Sequence, residues 1–171
     1  MYNRFASRGL WCRGAGIAAV LLGALLLPSC NDRVTNITGV TRSIIEISVE
    51  PNPVPGVQNP LTGSVSAAYV VKIAERAGLG GELQFVSGTI FDPETGLQTA
   101  LNYFDSADLI VFVGSSRVDA GGELDVPQTL NYTLDDFRVD ANLTVNIQFL
   151  DDLGSVINRS ILVPVVPAPA E

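Results

Sequence analysis

Histidine is absent from the 171 residues, and cysteine occurs only at Cys12 and Cys30. Without imidazole, and with so few thiols, the ligands of most zinc, copper and haem sites are missing. A serine nucleophile is left with lysine as its only common base, and lysine occurs once, at Lys72, with no hydrolase motif around it. Two carboxylates could cleave a glycosidic bond, but such a pair is defined by its separation in space. No catalytic residue is therefore assigned. The one tryptophan, Trp11, lies near the start of the chain. An aromatic platform for sugars would thus fall to Tyr69, Tyr103 or Tyr132. Tyr69 and Tyr132 fall on predicted core faces, which leaves Tyr103, in a stretch whose pattern is undetermined.

Positive charge is also scarce. After Cys30 there are seven basic residues against all eighteen of the acidic ones, an excess of eleven negative charges. Such a surface repels phosphate backbones, because nucleic-acid affinity comes from cationic side chains releasing counterions. Nucleic acid is not an expected partner.

The first thirty residues are a different polymer. Arg4, Arg8 and Arg13 precede Gly14 to Leu27, a run of uncharged residues dominated by Leu and Ala, and Pro28-Ser29-Cys30 follow. Basic residues before a short apolar run are the layout of a secretory signal. A membrane-spanning helix is the rival. At about 1.5 Å per residue, however, the run covers only about 21 Å of a hydrocarbon core about 30 Å thick. Leu27-Pro28-Ser29-Cys30 resembles the lipobox of bacterial lipoproteins through Leu27, Ser29 and Cys30, with Pro28 departing from the usual residue at its place. That resemblance implies cleavage between Ser29 and Cys30 and a covalent lipid on Cys30. Two or more acyl chains hold a protein stably, since each buried CH₂ contributes about 0.8 kcal/mol. The expected organisation is a cleaved signal peptide at 1–29, anchor and tether at 30–42, a folded domain at 43–166 and a Pro/Ala tail at 167–171. The expected address is the cell envelope, facing the periplasm or the exterior.

Past the polar tether the apolar period becomes two. Ile45, Ile47 and Val49 oppose Glu46, Ser48 and Glu50, and the prolines at 51, 53 and 55 predict that this strand stops. Strands are likewise predicted over 65–76, where a helix capped by Gly78 is the rival and the β-branched Val70, Val71 and Ile73 favour the strand, and over 82–92, 124–134, 143–149 and 156–166. Gly88 suggests a bulge. Leu109 to Val113, a continuous apolar run too short for most helices, predicts a strand buried on both faces. Asp92-Pro93-Glu94-Thr95-Gly96 and Asp151-Asp152-Leu153-Gly154 are turns by their chemistry.

About seven short strands between Gly, Pro and Asp turns predict an all-β fold: an antiparallel two-sheet β-sandwich. The layout over Ser43 to Val166 is similar to the immunoglobulin-like and fibronectin type III-like modules of exported bacterial proteins. It lacks the cysteine–tryptophan–cysteine core of antibody domains. The expected function is a monomeric, non-catalytic interaction or structural module held at the membrane by its lipid, with an envelope protein as partner and no cofactor. The alternatives are a calcium-stabilised adhesion-like domain and an envelope hydrolase. If successive strands alternate in direction, the acids Asp92, Glu94, Asp105, Asp108, Asp135, Asp136 and Asp140 gather at the end away from the tether. There they would meet a basic partner or a divalent cation such as calcium.

Overall fold

Alternation in the sequence becomes alternation in burial. The structure is a computed structural model describing Gly39 and residues 41–169. Cys30, Ser29, the expected signal segment and most of the expected tether lie outside the described residues. Nine strands follow: β1 Ile45–Glu50, β2 Val54–Gln58, β3 Val65–Glu75, β4 Gly81–Phe91, β5 Gln98–Asp105, β6 Arg117–Val118, β7 Glu123–Tyr132, β8 Ala141–Asp151 and β9 Val156–Pro167. One helix, α1 Ser106–Val113, and one 3₁₀ turn, Asp135–Phe137, interrupt them. β8 buries every second residue from Ala141 to Asp151. Its Leu143, Val145, Ile147 and Phe149 are fully enclosed, each worth about 1.5–3 kcal/mol of apolar burial.

The hydrogen-bonded order is β1-β3-β2-β9-β8-β4-β5, with β7 on the other edge of β3 and β6 beside β4. β1 pairs with the far half of β3, from Ile45 opposite Glu75 to Glu50 opposite Val70. β2 pairs with its near half, Gly56 opposite Ala67 to Gln58 opposite Val65. It then turns its other edge to β9 in parallel, Val54 opposite Val165. The expected purely antiparallel arrangement is therefore corrected to a mixed one. β2 lies in the proline-rich stretch expected to be a break. Pro55 fits because it stands opposite Val166 alone, before the pairing with β3 begins at Gly56. Gly56 itself has no room for a side chain: a Cβ there would lie 2.6 Å from Val139 and 2.9 Å from Val65.

Inward side chains of β3, β7, β4, β8 and β9 share one core, including Val71, Val126, Val86, Val145 and Val163. Tyr69 and Tyr132 are buried in it as their pattern predicts. The Tyr69 hydroxyl donates to Gln128 Oε1 at 2.7 Å, and the Tyr132 hydroxyl donates to the Val139 carbonyl. Gly88 marks no bulge; a Cβ at that position would collide with the Tyr69 hydroxyl. The register shifts of β4 fall instead between Leu83 and Phe85, against β8, and between Ile90 and Phe91, against β5.

The apolar run at 109–113 is helical, not a buried strand. Asp105 caps α1 by accepting from Ala107 N and Asp108 N, the Asp108 side chain accepts from Asp105 N in return, and Gly114 closes the other end in the left-handed region. Capping at both ends supplies partners for orphan backbone groups that a strand could not use here. Only Leu109 is buried, while Ile110, Val111 and Phe112 are exposed. Among the described residues no helix is long and apolar enough to cross a membrane.

Candidate binding surface

The seven acids singled out by sequence do not form one cluster. Asp92 and Glu94, in the turn after β4, meet Arg138: its Nη2 lies 3.4 Å from Asp92 and its Nη1 2.9 Å from Glu94. Arg138 also reaches back to the Asp135 carbonyl, and Gln58 donates to the Phe137 carbonyl at 2.6 Å. The loops after β2, β4 and β7 thus share one end, and Asp92, Glu94, Asp135, Asp136 and Asp140 lie in the last two of these loops. Asp105 and Asp108 do not join them, because β5 runs back along β4 until Asp105 stands opposite Phe85. Their carboxylates are spent on capping α1.

Asp92 is buried and belongs to its own turn. It accepts from Glu94 N and Thr95 Oγ1, each at 2.9 Å, and the Glu94 N–H is the chief cause holding its carboxyl below the usual range. Among the described residues no three His, Cys, Asp or Glu side chains converge as a metal site would require.

Two other buried carboxylates build the opposite end. Glu75 accepts from the backbone N–H groups of Ile44, Ala77, Gly78, Leu79 and Gly121, at 2.7–3.3 Å. Burial works to raise its pKa, but these donors outweigh that and hold it below the usual range. Asp151 does the same for Ser43 N, Leu153 N and Ser155 N, and its pKa is likewise lowered by these donors against burial. The first described residues are thereby tied to the fold: Arg42 donates to the Val156 carbonyl at 3.0 Å.

The outward face of β1, β3 and β7 is a lattice of ion pairs. Lys72 meets Glu50 at 2.7 Å, and Arg76 meets both Glu46 and Glu123 at 3.0 Å. The hydrogen bond to Glu50 raises the Lys72 pKa, which keeps the ammonium protonated. A hollow of about 620 Å³ on this face is lined by these paired groups together with Ile45, Ile73 and Arg159.

The outward face of β5, β4, β8 and β9 differs in kind. Register places Tyr103 beside Ser87, Ser87 beside Asn146, and Asn146 beside Ser160. On one flank run Leu101, Thr89, Thr144 and Leu162, and on the other Asp105, Phe85, Gln148 and Asn158. Asp105, committed to its helix cap, is the only charged residue in these three rows. The face is a trough. Ser87, at its floor, is 8% exposed, whereas Tyr103 on one side is 55% and Leu162 on the other 65%. The Tyr103 ring stacks on Phe85 with centroids 5.4 Å apart and planes 26° from parallel. Gln148 Nε2 donates to Asn158 Oδ1 at 3.2 Å. The hollow over Phe85, Tyr103, Asn146, Asn158 and Ser160 measures about 530 Å³.

Sequence reasoning reaches Tyr103 but not the rest of this face. The signal was present in β8, whose outward positions read Asn142, Thr144, Asn146, Gln148 with no charge. What it lacked was the neighbours: period two says which residues share a face of one strand, not which strands lie side by side.

Neither a protein-family model nor a curated protein matches the sequence. Similarity lies in solved structures. A Bordetella pertussis protein assigned as ApaA aligns with a TM-score of 0.54 at 12% identity, over 74% of this chain and 97% of its own. The structural-genomics target SoR45 aligns with the same TM-score at 9% identity, over 74% of this chain and 88% of its own. A Mobiluncus mulieris adhesin carrying intramolecular cross-links aligns with a TM-score of 0.34 at 10% identity, over 74% and 57%. At these identities the first two describe the fold alone, and the third is too distant to add to it.

Proposed function

We propose that the protein is a lipid-anchored, non-catalytic binding module of the bacterial envelope. Cys30 carries the anchor, and the partner docks on the uncharged face of β5, β4, β8 and β9. The anchor rests on Leu27, Ser29 and Cys30 closing a short apolar run behind three arginines. The finer fold reading belongs to the same proposal: an immunoglobulin-like sandwich with β1, β3 and β7 in one layer and β2, β9, β8, β4 and β5 in the other. Its support is the passage of the chain from β1, which pairs with β3 alone, to β2, which keeps β3 on one edge and takes up β9 on the other.

One observation carries the functional reading. In a domain with a large negative excess, three rows across four strands hold no free charge, yet keep an exposed ring and exposed leucines. A solvated sheet face ordinarily carries charges for solubility, as the β1-β3-β7 face does; a face without them is suited to being covered.

The test is photocrosslinking in native envelopes from a probe replacing the exposed Leu162, compared with one replacing the exposed Ser48 on the ion-paired face. A discrete adduct from position 162 and none from position 48 supports the proposal. Equal labelling from both, or none from 162, overturns it.

A further inference from the structure

Resting on the sheet face as the binding surface, we propose that its ligand is a neutral carbohydrate chain. Four features of the face select that chemistry. The Tyr103 ring is presented to solvent and held in a fixed orientation by its stack on Phe85, a flat apolar surface for the C–H side of a sugar ring. Beside it, Asn146, Gln148 and Asn158 supply amides and Ser160 a hydroxyl. Each amide offers a donor and an acceptor together, the pairing that neighbouring sugar hydroxyls require. The Gln148–Asn158 hydrogen bond orients two of these amides before any ligand arrives.

The third feature is length. The row from Tyr103 to Ser160 crosses three inter-strand spacings, about 14 Å, which suits a chain of sugars better than one ring. The fourth is charge. Arg159 at the rim is the one cation of the hollow, and it is already committed, donating to the Ile45 and Asn158 carbonyls. Among the described residues no other cation lines the hollow to meet a uronate or phosphate, and the excess of eleven negative charges after Cys30 repels acidic polymers at long range. A protein partner fits less well. Protein interfaces concentrate aromatics, methionine and arginine at their centres, whereas the centre here is Ser87 and Asn146 between exposed groups set apart at the margins.

The test is affinity electrophoresis of the intact protein through gels containing dextran, laminarin or galactomannan, with polygalacturonate as the acidic comparison. The expected result is retardation in at least one neutral gel and none in the acidic one. Tyr103→Ala should weaken that retardation about tenfold, the loss of one stacking contact, while Tyr103→Phe should retain it and Arg76→Ala, on the other face, should leave it unchanged. Retention by Tyr103→Phe separates loss of the ring from loss of the fold. Retardation only in polygalacturonate, no retardation in any gel, or retardation insensitive to Tyr103→Ala overturns the proposal. If the gels fail while a probe at Leu162 still captures a protein, the ligand class is wrong and the face remains the binding surface. If both fail, the reading of the face fails with it.

Discussion

Glu75 receives five backbone N–H groups from three segments: the approach to β1, the turn after β3, and the turn before β7. Substituting it with glutamine keeps the shape but replaces one accepting oxygen with an amide that faces donors. Glu75→Gln should lower stability by about 1.5–3 kcal/mol, the range for hydrogen bonds to a charged group, as read from the urea midpoint. The same chemistry sets a pH dependence. Glu75, Asp92 and Asp151 have folded-state pKa values below their ordinary ones. They bind fewer protons folded than unfolded, so their contribution is fully present above the unfolded carboxylate range. It is lost as pH falls through and below about 4. Thermal melts should therefore be flat from pH 7 to about 5 and drop below that, and an unchanged melting temperature at pH 3 would contradict the assignment. None of this was legible in the sequence. Glu75 and Asp151 look there like two of many solubilising acids, and only the fold reveals that chain segments up to 108 residues apart converge on them.

Elements were legible where one signal dominated. β3, β7, β8 and β9 follow from alternation with β-branched residues, because a pleated strand with one wet face admits little else. α1 was not, since the apolar run Leu109–Val113 satisfies a buried strand as well as a short helix. The deciding information lay outside the run, in Asp105, Asp108 and Gly114. Asp105→Ala should remove the cap and cost about 1 kcal/mol, detected as a lower melting temperature with the β signature of the far-ultraviolet spectrum intact; no change would mean that packing of Leu109 alone holds the helix. β2 was missed for the opposite reason. Its prolines read as breaks, and its role as a bridge between β3 and β9 depends on a parallel pairing with residues over a hundred positions away.

Across the whole molecule, charge is partitioned by face rather than spread. Ion pairs occupy the β1-β3-β7 side, carboxylates bound by backbone N–H groups secure both ends, and the three central rows of the β5-β4-β8-β9 side carry no charge except the capping Asp105. The first described residues of the domain, Arg42 to Ile44, are fixed beside Glu75 and Asp151. Cys30→Ala should accumulate as unprocessed precursor and lose radiolabelled palmitate; normal processing of that variant would remove the anchor from the account. The central claim, that the neutral face is where the partner binds, is tested most directly by nuclear magnetic resonance of the isotopically labelled domain, residues 37–171, titrated with solubilised envelope material. The expected result is a set of shift changes confined to Phe85, Ser87, Tyr103, Asn146, Asn158 and Ser160 and their sheet neighbours. Changes centred on Asp92, Glu94 and Asp135, or on Lys72 and Arg76, would contradict it.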